Sequence, residues 1–334
     1  MLPEIKLREP YVKSNDKIMA EDVNIKIGIA YHRKSDTYPN SPYLPIQVGG
    51  KYADYDLGIQ KDSTGDNISA QNPYCSEMSA SYWLWKNVKA DYKGLFHYRR
   101  FMTFRRSNLF GRLSRCMLYY LSKLLSPIVI GSRYTYMDFS VIHISPEAVD
   151  ATLNQFSKDL FTDINKNDID CYVLGYIRYS TYRNSTRVKE SIGFWHSEYA
   201  TKMIREYFPD FYPFYEKSLA ANKLCSCNMI IAKSNIYDEY CATIFPILER
   251  YQQYMNYGFP SGTINNAMKR DSGYLAEILT DAYIHKLKSL GYKVKHLGEV
   301  VVDVQTTTDS QPEDTVLNKI KTIVFGRRLD NEKI

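Results

Sequence analysis

The chain has 334 residues, of which 44% are hydrophobic, and this is enough to bury a sizeable core. A peptide, a disordered regulator and a fibrous repeat are therefore excluded. The six cysteines form no Cys-x-x-Cys pair, which argues against a disulfide framework or zinc ribbon and favours a reducing cytoplasm. Residues 1–24 lack the apolar core of a signal peptide, and no apolar run of about 18 residues follows, so we expect no membrane span.

The positive charge of the chain is concentrated in one segment. Lys and Arg total 43 against 37 Asp and Glu, which gives a formal net charge of +6. Between Tyr92 and Met137 there are nine basic residues and no acidic one, whereas the remaining chain carries 34 basic and 37 acidic residues. This segment is therefore predicted to meet an anion.

The hydrophobic pattern predicts strands that alternate with helices. After a polar leader over residues 1–24, strands are predicted at Ile25–Ala30, 94–97, 139–145, 171–177, 227–232 and after Gly291. Helices are predicted at 75–88, 110–130, from Pro146, within 191–223 with breaks near Pro209 and Pro213, from 233 to Glu249, and at 272–290. A Pro- and Gly-rich loop spans 39–65. This alternation predicts an α/β fold with a mostly parallel sheet flanked by helices.

The helix at 75–88 is rich in aromatic residues. Asn72 and Pro73 supply its predicted start, and Met78, Tyr82, Trp85 and Val88 recur at helical spacing as a buried stripe. We assign Trp83 and Trp85 to the core rather than to a platform for sugar binding.

The strand that follows this helix ends in His97-Tyr98-Arg99-Arg100. Many nucleotide-sugar glycosyltransferases place the donor pyrophosphate at such a strand end, at the carboxyl edge of the sheet. In the GT-A class this position usually holds Asp-x-Asp and a divalent metal ion. A guanidinium of Arg99 or Arg100, with His97, can instead neutralise the diphosphate by hydrogen bonds. The alternative is a surface basic cluster.

Several motifs together resemble one bacterial family. GDNIS at 65–69, CSEMSASYWLWKN at 75–87, GLFHYRRF at 94–101, CNMIIAKS at 227–234 and RDSGYLAEIL at 270–279 occur in the order found in glycosyltransferases of capsular polysaccharide, exopolysaccharide and O-antigen gene clusters. The resemblance covers roughly Ile25–Asp303. It implies a GT-A-like domain over 25–303, with a basic helical insert at about 105–131 and a tail over 304–334. It also implies a nucleotide-sugar donor, and some members are linked to galactofuranose transfer.

The resemblance also implies which residues bind the donor. His32 and Lys34 would lie near the nucleotide, Asp66 and Asn67 would shape the donor pocket, and the run from His97 through Tyr98, Arg99 and Arg100 would meet the diphosphate. Glu77 and Asn228 are assigned to the acceptor side or the pocket wall. Asp66 and Asn67 are equally good turn residues, and Glu77 suits the first turn of a helix for electrostatic reasons alone.

The last predicted helix carries the candidate general base. In many GT-A enzymes a carboxylate near the start of such a helix removes the proton from the acceptor hydroxyl. Glu277 has this position, and Asp271 just before the helix is the second candidate. However, Glu277, Thr280, Asp281 and Lys288 share one helical stripe, which is also the pattern of a solvated face.

Metal sites are weakly indicated by the sequence. Asp54-Tyr55-Asp56 and Asp168-Ile169-Asp170 are Asp-x-Asp triplets, but neither follows an apolar strand, so no metal ligand is predicted. Mn²⁺ or Mg²⁺ at the donor site is the disfavoured alternative. Nucleic acid is not an expected partner, because no RNA- or DNA-binding module accompanies the basic charge.

The basic segment predicts contact with a membrane surface. Arg112, Arg115 and Lys123 alternate with apolar residues over residues 110–130, as in a helix that lies on an anionic bilayer. A core helix with a basic edge is the alternative.

Together these features predict a cytoplasmic glycosyltransferase of the hexosyltransferase class, peripheral on the inner face of the plasma membrane. Its donor would be uridine-linked and its acceptor a lipid-linked saccharide of surface polysaccharide synthesis. The alternatives are a non-catalytic scaffold that binds glycans or sugar nucleotides, and an enzyme that processes phosphate esters.

Overall fold

The computed structural model describes residues 23–33, 37–38, 40–105, 135–179, 182–258 and 270–303, together with 113, 116, 117, 119–121 and 124. The predicted leader up to residue 22, most of the basic insert and the predicted tail at 304–334 lie outside the described residues, as do Lys34, Arg112, Arg115 and Lys123.

Strands and helices alternate along the described chain. The first half contains β1 (Ile25–Tyr31), β2 (Tyr43–Gln47), β3 (Gln60–Lys61), α1 (Asn72–Cys75), α2 (Met78–Asn87), β4 (Tyr92–His97), β5 (Arg100–Thr103), β6 (Thr135–Met137), β7 (Val141–Ile144) and α3 (Val149–Asn167). The second half contains β8 (Cys171–Leu174), β9 (Tyr176–Tyr179), α4 (Asn184–Ile192), α5 (Phe194–Tyr207), α6 (Tyr212–Ala220), β10 (Lys223–Cys225), β11 (Ile230–Lys233), α7 (Ser234–Gly258), α8 (Asp271–Ser289) and β12 (Val294–Val302).

The large sheet of the described residues is mixed: the α/β prediction is confirmed, and five of its nine strand pairings are parallel and four are antiparallel. Strands β3, β2, β1 and β4 are parallel neighbours, and β12 is parallel to β8 and β7. Strand β11 runs antiparallel between β4 and β8, and β5 turns back from β4 to pair with β12. The turn at Tyr98 and Arg99 makes β5 antiparallel to β4, because a two-residue connection can join only antiparallel strands. Strands β10, β9 and β6 form a second, antiparallel sheet.

The central strands are buried on both faces. Alternate residues of β4 point to opposite sides, so Phe96 joins the apolar cluster around α3, whereas Leu95 joins the cluster of α2, α7 and α8. A Cβ at Gly28 would lie 2.7 Å from Leu84 Cδ1, so glycine lets α2 pack directly on β1. A Cβ at Gly94 would lie 2.5 Å from Ile231 Cγ1, so glycine also admits β11 beside β4.

Three predicted elements are interrupted in the structure. The aromatic helix is broken at Ser76, whose φ is 50°, so α1 and α2 are separate. The strand predicted at 171–177 is divided at Gly175, where a Cβ would lie 2.5 Å from Phe139 Cβ. The helical region predicted at 191–223 begins earlier and consists of α4, α5 and α6, with breaks at Gly193 and near Pro209.

Candidate functional site

The carboxyl ends of β1 and β4 meet at one edge of the large sheet. The two strands are parallel with Ala30 opposite His97, and the Tyr98 N–H donates to the Ala30 carbonyl at 3.1 Å. The His32 ring is centred 4.8 Å from the Tyr98 ring and 5.9 Å from the His97 ring. Three residues assigned to the donor from sequence are therefore brought together, at the edge where α/β sheets bind ligands.

Cationic side chains surround these histidines. Burial lowers the pKa of His32 to about 4, with further contributions from His97, Arg33, Arg270 and Arg99. Burial also lowers the pKa of His97 to about 4, and Arg100, Arg270 and Arg99 add to the effect. Both imidazoles are therefore neutral at pH 7. We call this group the basic edge, and its members are His32, Arg33, His97, Arg99, Arg100 and Arg270.

The cations of the basic edge differ in their partners. Arg100 forms an ion pair with the buried Glu299 at 3.1 Å, and its Nη1 lies 3.3 Å from Cys227 Sγ. Arg270 donates to Ser76 Oγ at 3.4 Å. Within the described chain neither Arg33 nor Arg99 forms an ion pair. The basic edge therefore keeps positive charge that is available to an anion.

A buried chain of hydrogen bonds lies beside the basic edge. Asn228 donates to Glu77 Oε1 at 2.9 Å and accepts from Thr280 at 3.3 Å, and Thr280 lies 2.8 Å from the Tyr240 hydroxyl. Burial raises the pKa of the Glu77 carboxyl, although the Asn228 hydrogen bond and the charge of Arg270 oppose this effect. Glu77 and Asn228, both assigned to the pocket from sequence, are thus direct partners that join α2 to the turn before β11.

The turn before β11 also positions Glu277. Cys227 and Asn228 both have positive φ, at 71° and 50°, and the Cys227 N–H donates to Glu277 Oε1 at 3.2 Å. Glu277 Oε2 pairs with Arg187 of α4 at 3.3 Å, and the Glu277 side chain is 17% exposed. The Glu277 carboxylate is therefore fixed on both oxygens yet still reached by solvent.

The solvated face that the sequence left open as an alternative for this helix is not found at the middle of the stripe. Thr280 is 2% exposed and Asp281 is fully buried. Asp281 accepts from Ser218 Oγ at 2.6 Å and from the Cys225 N–H at 3.1 Å. The stripe holds α8 against α6 and β10.

Asp271, the second candidate base, belongs to a buried pair. Its Oδ2 lies 3.0 Å from His196 Nδ1, and the Asp271 side chain is 5% exposed. Burial raises the pKa of Asp271 to about 6, against the opposing effects of His196 and Tyr251. Of the two candidate bases, the Glu277 carboxylate, at 17% exposure, is thus the more accessible to solvent.

Asp66 and Asn67 form a turn against α2. Asp66 accepts from the Tyr82 hydroxyl at 3.1 Å, and the Asn87 amide donates to the Asp66 carbonyl at 2.8 Å. Asn67 donates to the Gly65 carbonyl at 2.8 Å and accepts from the Ser69 N–H. These contacts give both residues a structural role, and their assignment to the donor pocket stays a prediction.

Three of the four carboxylates in the Asp-x-Asp triplets pair with lysines. Asp56 pairs with Lys61 at 2.7 Å, and Asp168 and Asp170 both pair with Lys233. The described residues contain no group of three His, Cys, Asp or Glu side chains that suits a metal ion. At the end of β4, where GT-A enzymes use carboxylates, this chain places imidazole and guanidinium groups. A cationic set does not fit a divalent metal ion.

Sequence reasoning missed Arg33, Arg187, Arg270 and Glu299. Two of them reach the site from elements far away in the chain: Arg187 is 90 residues from Glu277, and Glu299 is 199 residues from Arg100. The Arg-Asp pair at the start of the RDSGY run was the one local signal for Arg270.

Comparison with known proteins adds two findings. A sequence profile of the family described as "Domain of unknown function (DUF4422)" matches residues 26–288. The fold is similar to the apo structure of WbbM, a bifunctional glycosyltransferase, with a TM-score of 0.66 and 23% sequence identity. The match covers 86% of this chain and 48% of that one, so this chain spans about half the length of that relative. No curated protein matches the chain.

None of the helices in the part of the chain that the structure describes combines the length and the apolar character that crossing a bilayer requires.

Proposed function

The chain belongs to the DUF4422 family, and we propose that it is a glycosyltransferase that moves a sugar from a nucleotide-sugar donor to a saccharide acceptor. The observation that carries the proposal is the basic edge, where Arg33 and Arg99 add charge without an ion-pair partner among the described residues. A diphosphate is the part of such a donor that guanidinium groups bind best. The fold shared with a glycosyltransferase supports the same function.

The proposed reaction is a displacement at the anomeric carbon of the donor sugar. The acceptor hydroxyl forms the new C–O bond, the bond from that carbon to the diphosphate oxygen breaks, and the nucleoside diphosphate leaves with the electron pair. Arg99 and Arg270, with N–H groups of the neutral imidazoles, stabilise the negative charge of the leaving group. Glu277 accepts the proton that the acceptor hydroxyl loses.

The finer assignments rest on the resemblance of the sequence motifs. They are a uridine-linked hexose donor, with galactofuranose as one candidate sugar, and a lipid-linked saccharide acceptor of surface polysaccharide synthesis. A non-catalytic scaffold that binds sugar nucleotides is the second candidate function. The basic edge would bind the sugar nucleotide in either case, so only a measurement of turnover separates a glycosyltransferase from a non-catalytic scaffold.

The first test measures which nucleotide sugar the purified protein binds. We expect a uridine diphosphate sugar at 100 times its dissociation constant to stabilise the fold by about 2.7 kcal/mol, because it binds only the folded state. Thermal unfolding with a panel of nucleotide sugars, followed by assays of donor hydrolysis, makes the measurement. Stabilisation without hydrolysis or transfer would favour the scaffold, and no stabilisation by any donor would contradict the proposal.

We further propose that the protein lies on the inner face of the plasma membrane. Among the described residues of the basic insert, the exposed apolar ones recur at helical spacing and are Leu113, Met117, Tyr120, Leu121 and Leu124. Tyr119 instead is 6% exposed and bonds the Tyr179 carbonyl and Asn222. The exposed side chains described here are thus apolar, and the charged residues of this segment of the sequence are basic, which fits an anionic bilayer.

A vesicle assay tests this membrane contact. We expect the triple change Arg112→Glu, Arg115→Glu, Lys123→Glu to release the protein from vesicles that contain anionic lipid, since each cation contributes about 1 kcal/mol. Sedimentation at low and high salt gives the measurement. The matched control reverses three exposed lysines elsewhere, Lys89, Lys158 and Lys166, and should sediment like the native protein. If the native protein, the triple variant and the control all sediment equally with the vesicles, the three basic residues do not bind the bilayer and the insert has another partner.

A further inference from the structure

The three tryptophans have different surroundings. Trp83 is 7% exposed, and its indole N–H donates to the Thr64 carbonyl at 3.0 Å. Trp85 stacks on Phe245 with ring centres 6.0 Å apart, and Lys86 Nζ lies 3.6 Å from the centre of the Trp85 ring. Trp195 is 78% exposed. Only Trp195, among these three, offers an open aromatic surface.

A corner between two helices presents Trp195. Gly193 has a φ of 87°, and nothing lies within 4 Å of a Cβ built there, so the chain turns freely from α4 into α5. The Phe194 ring meets the Trp195 ring edge-on, with centres 5.2 Å apart, and Lys189 Nζ lies 4.8 Å from the centre of the Phe194 ring. Phe194, which is 51% exposed, thus contacts a cation as well as the edge of the Trp195 ring.

The same corner contacts α8 through two of its carboxylates, Asp271 and Glu277. His196, the residue after Trp195, bonds Asp271 in the first turn of α8, next to Arg270. Arg187 of α4 bonds Glu277, six residues further along α8 and so nearly two turns away. In the chain Trp195 therefore lies between two residues that bond α8, Arg187 of α4 and His196 of α5.

We propose that Trp195 is a stacking platform for a saccharide ring of the acceptor, an inference that rests on the proposed function. An indole carries a large flat apolar surface at little entropic cost, and the C–H face of a sugar ring is its natural complement. The charged residues beside it, Lys189 and Glu198, pair with each other at 2.8 Å. This local balance of charge favours a neutral sugar over an anionic bilayer.

Fluorescence tests the platform without turnover. In the full-length protein we expect Trp195 to give the component that acrylamide quenches most, because the other two indoles are covered. Lactose, maltose and N-acetyllactosamine serve as neutral probes, and at least one should lower the quenching constant about twofold. Trp195→Phe should abolish this protection. Absence of protection by every probe, or its persistence in Trp195→Phe, would overturn the proposal.

Steady-state kinetics with an identified acceptor give a second, independent test of the platform. Trp195→Ala should raise the KM for the acceptor about tenfold, and Trp195→Phe should restore most of the loss, with the KM for the donor as the internal reference. Tyr207→Ala, at an aromatic residue 49% exposed at the far end of α5, is the matched control. An equal rise in both KM values, or weaker vesicle binding by Trp195→Ala without saccharide protection, would overturn the platform. Failure of the proposed function itself would appear separately, as absent donor turnover in the native protein.

Discussion

The change Glu277→Gln is expected to lower turnover by about 10²–10⁴-fold, because general-base assistance contributes that much to rate. Attack of a hydroxyl on an anomeric carbon requires loss of its proton as the bond forms, and an amide cannot accept that proton. The Arg187 ion pair and the Cys227 N–H hold the Glu277 carboxylate in place for this role. Single-turnover and steady-state rates with saturating donor give the measurement.

The contacts of Glu277 supply the control for this experiment. In the Glu277→Gln variant the amide oxygen would still accept the Cys227 N–H bond, which is 3.2 Å long in the native protein, but the ion pair with Arg187 would be lost. Arg187→Gln removes the same ion pair and keeps the carboxylate. If Arg187→Gln lowers turnover as much as Glu277→Gln, the ion pair rather than the base accounts for the effect. A loss under about tenfold in Glu277→Gln would assign the proton to another group or to a mechanism without an enzyme base there.

The elements that sequence predicted best are those whose burial is set locally. The run Ile25–Ala30 and the strand ending at His97 are apolar on both faces, and such runs are typical of strands covered by helices on each side. Their common direction follows from the intervening helix α2, so the meeting of His32 with His97 at one edge was foreseeable. Each of these features depends on fewer than about a hundred residues of continuous chain.

The features that sequence missed depend on partners distant in the chain. Asp281 looks like a solvated residue by its type, but it is buried because Ser218 and the Cys225 N–H satisfy its oxygens. Strand β11 packs closely beside β4 because Gly94 leaves room for Ile231, which no hydrophobic periodicity reports. Arg270 joins the basic edge through the packing of α8, where Asp271 bonds His196 of α5. The burial and placement of these residues depend on hydrogen bonds and close contacts with distant parts of the chain, and not on local secondary-structure propensity.

Loss of one guanidinium from the basic edge should weaken donor binding by about 10- to 150-fold, since a hydrogen bond to a charged group contributes about 1.5–3 kcal/mol. We expect this effect for Arg99→Ala and for Arg270→Ala, whose side chains are bonded to no carboxylate among the described residues. Calorimetry with uridine diphosphate measures the diphosphate contact without turnover. Arg183→Ala, at an exposed arginine just before α4, is the matched control.

Arg100→Ala should behave differently from these two, because its guanidinium already pairs with Glu299, which is buried at 4% exposure. Removing Arg100 leaves that carboxylate without its partner, at a cost in unfolding free energy of about 1–3 kcal/mol. A fall in unfolding temperature should therefore accompany any loss of affinity in Arg100→Ala and be absent in Arg99→Ala. Activity that survives EDTA would complete the assignment of the diphosphate to arginines. Activity abolished by EDTA and restored by Mn²⁺ would instead mean that a metal ion neutralises the diphosphate. The arginines would then only attract the donor to the site by long-range electrostatics.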